Sequence, residues 1–405
     1  MTLSRRTLLL TGAAALAVPR FAFAATPGDT RFVLCILRGA WDGLAVAPPW
    51  RDPAYADARG TLAFQPPRGD GDACLDLDGY FGLNPALAPL MSFWREGRLL
   101  VAHATATSYR DRSHFDAQDL LENGTTRARS VDTGWLNRAL VELERQRGPR
   151  GRNAARLGLA VGQQVPLVLR GPASIASWAP TALPQPKGDF MERVNAMWAR
   201  DALLGPALAE GLRTQAMSDE VLGDRQMNRN IRPAQSMAPL AEAAGKLLAA
   251  PDGPRIATLE FGDWDTHAGQ GRMTGRLANS LAGFADAMTA LVRGLGPAWE
   301  RTVVLAVSEF GRTVAPNGTG GTDHGTGTVA LALGGAVKGG RVLADWPGLA
   351  PQHLHEGRDL KPTLDTRRLI KALLADHLGL DARTLDTTIF PDSTDAKALN
   401  GLIGV

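Results

Sequence analysis

Arg255-Ile-Ala-Thr-Leu-Glu-Phe261-Gly262-Asp263-Trp264-Asp265-Thr266-His267 sets an apolar run directly against two carboxylates and an imidazole. Continuous apolar character, without alternation, predicts a strand buried on both faces. Such strands belong to largely parallel sheets, in which ligands bind beyond the carboxyl ends. The residues that follow this strand therefore stand where chemistry is done. Carboxylate oxygen with imidazole nitrogen is a ligand set for zinc, manganese or iron. A turn needs none of these three costly groups.

Similar runs lie on both sides of this segment. Arg31–Leu37, Leu99–His103, Leu157–Val161, Pro166–Leu169, Thr302–Val307 and Thr328–Leu333 all read as buried strands. Between them the sequence predicts helices over Pro85–Glu96, Ser113–Glu122, Thr133–Arg147, Asp189–Ala202, Pro206–Leu222, Met237–Ala249, Gly271–Leu295 and Asp365–Leu378. Alternating strands and helices predict an α/β domain with a mostly parallel central sheet and helices on both faces. The stretch from 189 to 250 holds helices without an intervening strand, and reads as a helical insertion that caps the sheet edge.

The ends and the composition limit the function classes. Residues 1–24 read as a targeting segment: Arg5-Arg6, an apolar run from Leu8 to Val18, and a small-residue cleavage site at Ala22-Phe23-Ala24. The apolar run is shorter than the roughly 20 residues of a membrane span. Paired arginines before an Ala-rich run resemble the twin-arginine export signal, which implies passage through the twin-arginine translocase and a periplasmic or extracellular location. The chain has 44 basic and 41 acidic residues, and removing Arg5, Arg6 and Arg20 with the signal leaves the two in balance. A neutral chain offers no footprint for nucleic acid or an anionic membrane. No later run is apolar enough for a span, so residues 25–405 read as a single exported domain. Cys35, in an apolar run, reads as a buried hydrophobe, and two distant cysteines make no zinc cluster.

The other strand ends carry a pattern. Arg38-Gly39-Ala40-Trp41-Asp42-Gly43-Leu44 follows the first strand; taken alone, its Asp-Gly pair reads as a turn. The strand ending at His103 leads into Arg110-Asp111-Arg112-Ser113-His114, where a helix should open. A serine there is an N-cap, or a nucleophile in the positive end of the helix dipole, where phosphate or sulfate also binds. Ser308-Glu309-Phe310-Gly311-Arg312 follows the Thr302–Val307 strand; Glu309 reads as a metal ligand or as a partner of Arg312. Asp323-His324 lies in a Gly- and Thr-rich loop just before another strand, and forms a second ligand-type pair. His103, His353, His355 and His377 carry weaker signals: a buried or supporting imidazole, two loop residues and a structural helix residue.

Taken together, Leu37–Leu44, Arg112–Gln118, Trp264–Gln270, Ser308–Arg312 and Gly321–Gly327 resemble an exported bacterial family known as domain of unknown function 1501. That family is related to the alkaline-phosphatase and sulfatase superfamily. The resemblance implies an alkaline-phosphatase-like sheet wrapped by helices, with metals at the strand ends. It implies metal positions at Asp42, Asp265, His267, Glu309, Asp323 and His324, with Asp263 competing for the place of Asp265. Ser113 resembles the nucleophile, beside His114, and Arg112 would hold the anionic group. The metal would be a divalent cation: zinc, manganese, calcium or magnesium. The superfamily's Asp-His reads Glu309-Phe310 here, so one imidazole of the pattern is absent. The implied activity is metal-dependent hydrolysis of phosphate or sulfate esters, acting on a small anionic ester or a surface polymer. The alternative is a non-catalytic metal-binding member that serves as a periplasmic or surface binding protein.

Overall fold

The computed structural model describes residues 29–67, 72–147, 156–180, 188–202, 204–222 and 237–404, of which 188 and 189 are described by backbone alone. The export signal read at 1–24 lies outside the described residues.

Nine strands form one sheet: β1 (Arg31–Leu37), β2 (Leu99–Ala106), β3 (Gly158–Val161), β4 (Ala176–Trp178), β5 (Ile256–Phe261), β6 (Thr302–Val307), β7 (Thr328–Leu333), β8 (Arg341–Leu343) and β9 (Leu364–Asp365). Their spatial order is β8-β2-β7-β6-β1-β5-β3-β4, with β9 paired to β2. All pairings are parallel except those of β7, which runs against β6 and β2. The sheet is thus mostly parallel, as the apolar runs predict.

Alternation along β1 explains its unbroken apolar sequence. Val33, Cys35 and Leu37 pack toward α5 (Met237–Ala249) and α6 (Arg276–Leu295). Phe32, Leu34 and Ile36 pack toward α2 (Trp135–Arg147) and α7 (Thr366–Leu378). Each face of the strand fills a separate core, so every position from Phe32 to Leu37 is apolar. The register sets Leu37 beside Phe261 and Ile36 beside Val307. The loops after β1, β5 and β6 therefore leave the sheet at one level. In the 189–250 region, α3 (Gly188–Trp198) and α4 (Leu204–Leu222) precede α5; α4 lies against edge strand β4, and α5 packs along α6.

Some local readings differ from the structure. Leu167–Leu169 is a turn of 3-10 helix, not a strand. Pro166 has no N–H to give a ladder, and the Val168 N–H is taken by Glu122. The helix read at Pro85–Glu96 splits into a 3-10 segment, Pro85–Leu90, and Met91–Arg95, because Pro89 cannot donate inside an α-helix. Strands β4, β8 and β9 are too short to leave a periodic signal. Cys35 and Cys74 are both buried and both free thiols. No described helix is long and apolar enough to cross a membrane.

His103 is completely buried in β2, at a bulge where Ala104 takes φ +54°. Its Nε2–H donates to the Ala47 carbonyl (2.9 Å) and Nδ1 accepts the Ala104 N–H (2.8 Å), so the imidazole is neutral. Burial pushes its pKa down to about 4. The unfolded chain, with an ordinary value near 6.5, binds the proton that the native state refuses. This contribution to stability is complete above about pH 6.5 and is lost as pH falls toward about 4, at up to roughly 1.4 kcal/mol per pH unit. His103→Gln is expected to flatten that slope, measured as the pH dependence of the urea-unfolding free energy.

Candidate metal centre

Three loops meet above the level ends of β1, β5 and β6. The first turn of α1 (His114–Asn123) brings His114, the loop after β5 brings Asp265 and His267, and the loop between β6 and β7 brings His324. His324 Nε2 lies 3.0 Å from His114 Nε2 and 3.0 Å from His267 Nε2. Asp265 closes the set, with Oδ1 3.1 Å from His267 Nε2 and 3.4 Å from His324 Nε2, and Oδ2 3.7 Å from His114 Nε2.

The far side of each ring fixes its tautomer. His114 Nδ1 faces Glu309 Oε1 at 2.7 Å, His267 Nδ1 faces Asp323 Oδ1 at 3.2 Å, and His324 Nδ1 faces the Arg112 carbonyl at 3.0 Å. All three partners accept only, so each Nδ1 carries the hydrogen and each Nε2 presents a lone pair. Lone pairs facing each other at 3.0 Å repel. A cation among them converts the repulsion into coordination. Donors around zinc at about 2.0–2.1 Å would stand about 3.3 Å apart, and the separations here run from 3.0 to 3.7 Å. His114, Asp265 and His324 thus form a group able to hold a metal ion; His267 Nε2 stands at its edge, against His324 and Asp265.

The supporting shell is dense. Glu309 is buried; burial works to raise its pKa, but bonds from His114, Gln118 (3.0 Å) and the Gly39 N–H (2.8 Å) hold it below the usual carboxylate range. Burial likewise opposes ionisation of Asp265, and the adjacent Arg312 (2.5 Å) with His267 outweighs it. Asp323 is held low first by the Asn317 amide (3.0 Å), against partial burial. Burial, with His114 beside it, lowers the pKa of His324 and favours the neutral ring.

The family profile described as "Protein of unknown function (DUF1501)" matches residues 100–389. The chain belongs to the DUF1501 family. Among curated proteins, none matches the sequence. Among solved structures, the chain is similar to the zinc complex of the C-terminal periplasmic domain of EcEptC from Escherichia coli, at 13% identity and a TM-score of 0.38, covering 91% of this chain and 88% of that one. It is similar also to the phosphonate monoester hydrolase of Agrobacterium radiobacter, at 13% identity and a TM-score of 0.33, covering 87% and 74%. At these values the functional reading rests on the geometry of the DUF1501 chain itself.

In this DUF1501 protein the residues singled out from sequence fall into distinct roles. His114, Asp265, His267 and His324 converge. Asp265, not Asp263, enters the cluster: Trp264 between them is buried, and Asp263 is exposed with φ +68°. Glu309 and Asp323 stand behind His114 and His267 and orient them, instead of facing the cluster. Asp42 is also placed differently from the ligand reading. It is 1% exposed; Oδ1 accepts the Leu44 and Ala45 N–H groups, and Oδ2 accepts from Arg59 and Gln270. Arg112 gives its carbonyl to His324, while its guanidinium is engaged by Asp359 (2.8 Å) and Glu356. Ser113 holds the N-cap position of α1, but its side chain makes no capping bond.

Sequence reasoning passed over Gly39, Arg59, Gln118 and Gln270. Gln118 and Gln270 end two of the motifs, yet a glutamine amide carries no chemical signature of its own. Gly39 has φ +121°, and a Cβ there would stand 2.6 Å from the Asp265 amide nitrogen. Only glycine lets that backbone reach Glu309. Glu309→Gln is expected to weaken metal affinity about ten- to a hundredfold through misorientation of His114. Competition with a chromogenic chelator measures it, and an unchanged affinity would remove Glu309 from this role.

Proposed function

We propose that this chain is an exported, metal-dependent hydrolase of phosphate or sulfate esters. One observation carries the reading: the Nε2 atoms of His114 and His324, each ring anchored through Nδ1, gather with the Asp265 carboxylate, and the anchored His267 adds its Nε2 beside His324 and Asp265. Three nitrogens and one oxygen suit zinc, with manganese next; calcium and magnesium favour oxygen cages. When bound, such a cation polarises an ester oxygen and offsets the negative charge that grows in an in-line displacement.

The chain's own groups would do the rest. His114, His267 and His324 hold the cation, each kept in one tautomer by its acceptor. Arg312, fully buried beneath Asp265, keeps that carboxylate ionised and aimed. Ser113 supplies a hydroxyl that no capping bond consumes, at the helix end where the dipole favours an anion. Attack by the Ser113 oxygen on the phosphorus or sulfur would break the bond to the ester oxygen and release the alcohol, which takes up the proton the serine gives up; water would then cleave the seryl ester, releasing phosphate or sulfate and restoring the hydroxyl. The export signal puts the reaction in the periplasm or outside the cell, on a small ester or a surface polymer.

A second reading, a non-catalytic metal-binding protein, is favoured by Phe310. The resemblance calls for an imidazole there. Instead the phenyl ring stacks on His114 (4.9 Å between centroids) and lies 5.1 Å from His324. With Asp42 also engaged elsewhere, the described residues support one metal and not a pair.

Purified protein is expected to carry about one ion per chain by elemental analysis, falling at least about tenfold in His267→Ala and His324→Ala. Turnover should appear in a screen of aryl phosphates, phosphodiesters and aryl sulfates, and Ser113→Ala should reduce it to near background. A metal-free native protein would sink both readings. Stoichiometric metal without turnover selects the binding protein.

A further inference from the structure

Beside the candidate metal centre, the ends of β1 and β5 and the outer side of α1 border an open cleft of about 320 Å³, lined by Arg38, Phe115, Gln118, Glu122, Arg170 and Glu260 among others. That volume lies within the about 300–1,000 Å³ of small-ligand pockets. The Arg38 guanidinium is held flat by three neighbours: Nε meets Glu260 Oε1 at 2.6 Å, Nη2 meets Glu122 Oε1 at 2.9 Å, and Nη1 meets Gln118 Oε1 at 3.1 Å. Glu122 is in turn fixed by the Val168 N–H (3.0 Å), so the arrangement is rigid before any ligand arrives.

Phe115 stands over this polar wall. It is 81% exposed, the highest value among the described large apolar side chains. A single exposed apolar residue is ordinary. This one follows the ligand His114 directly and rims a pocket of fixed donors and acceptors. The pocket and the metal centre also share a group: Gln118 donates to the same Glu309 oxygen that orients His114.

We propose that this cleft is a subsite for a neutral sugar ring carried by the ester, with the anionic group at the metal centre and the ring on Phe115. This rests on the ester-hydrolase reading for the role of the sugar, but not for its binding. The lining chemistry selects the class. Asp119, Glu122 and Glu260 outnumber Arg38 and Arg170, so a second anionic group is disfavoured. A purely apolar group would strip water from these charged groups and return no hydrogen bonds. A pyranose matches both features: an apolar C–H face for the phenyl ring and a rim of hydroxyls that both donate and accept.

The test uses neutral sugars without any ester. Metal-loaded protein is titrated calorimetrically with cello-, malto-, chito- and galacto-oligosaccharides. At least one series is expected to bind, with Phe115→Ala weakening it about tenfold or more and Phe115→Trp restoring it, at unchanged metal content. Phe115 is exposed, so neither variant threatens the fold. No binding by any series, or equal binding by Phe115→Ala, overturns the proposal. Sugar binding without ester turnover leaves the subsite standing and removes the hydrolase reading; turnover without sugar binding does the reverse.

Discussion

A buried carboxylate holds the carboxyl end of this sheet together. Asp42 caps the helical turn Gly43–Val46 through Oδ1 and receives Arg59 and Gln270 on Oδ2. Arg59 extends to the carbonyls of Thr313 and Val314 in the β6–β7 loop. Gln270 accepts the hydroxyls of Thr266 (2.8 Å) and Thr322 (2.6 Å), one in each loop that supplies a histidine. A buried pair of this kind is weak evidence of net stability, because desolvation offsets its attraction. Its geometric effect is firmer: losing either partner leaves a buried charge uncompensated, so loop movements that would part them are costly. Asp42 thus ties together the loops of the candidate metal centre without facing it.

The second constraint is strand direction. A loop before a parallel strand would open at the wrong end of the sheet. Because β7 runs antiparallel, the segment preceding it lies over the carboxyl ends of β1, β5 and β6. Short backbone ladders then lock it in place: Gly269 and Gln270 bond to Thr319 and Gly320, and Thr313 bonds to Asp323. Gly321 passes so near His267 that a Cβ would stand 2.3 Å from its carbonyl carbon. His267 and His324 are therefore positioned by backbone contacts, which hold ligands more tightly than long side chains can.

Phe310 shows how one position reshapes such a centre. An imidazole there would add a donor. The phenyl ring adds an apolar wall against His114 and His324 and limits how far they can rotate. Donor chemistry is concentrated in three anchored rings and one carboxylate pinned by Arg312.

Much was legible in the sequence because burial on both faces of a sheet forbids polar residues, and that rule writes β1, β5, β6 and β7 directly into the chain. The clustering of Asp265, His267, Asp323 and His324 after or before those runs was legible for the same reason: polar groups gather at strand ends, where water and partners can reach them, and one inside a strand, such as His103, needs partners of its own. Their division of labour was not. Asp265 and Asp263 differ only in which side of the buried Trp264 they leave, and Glu309 and Asp323 differ from a ligand only in which nitrogen of a histidine they meet. Asp42 reads alike as ligand, turn residue or ion-pair partner until Arg59 and Gln270 stand beside it. The sequence by itself determined the strands, the layers and the chemical types gathered at one edge. Only the tertiary structure decided which atoms converge, because convergence depends on strand direction, register and backbone approach between segments distant along the chain, and no local pattern of residues encodes those.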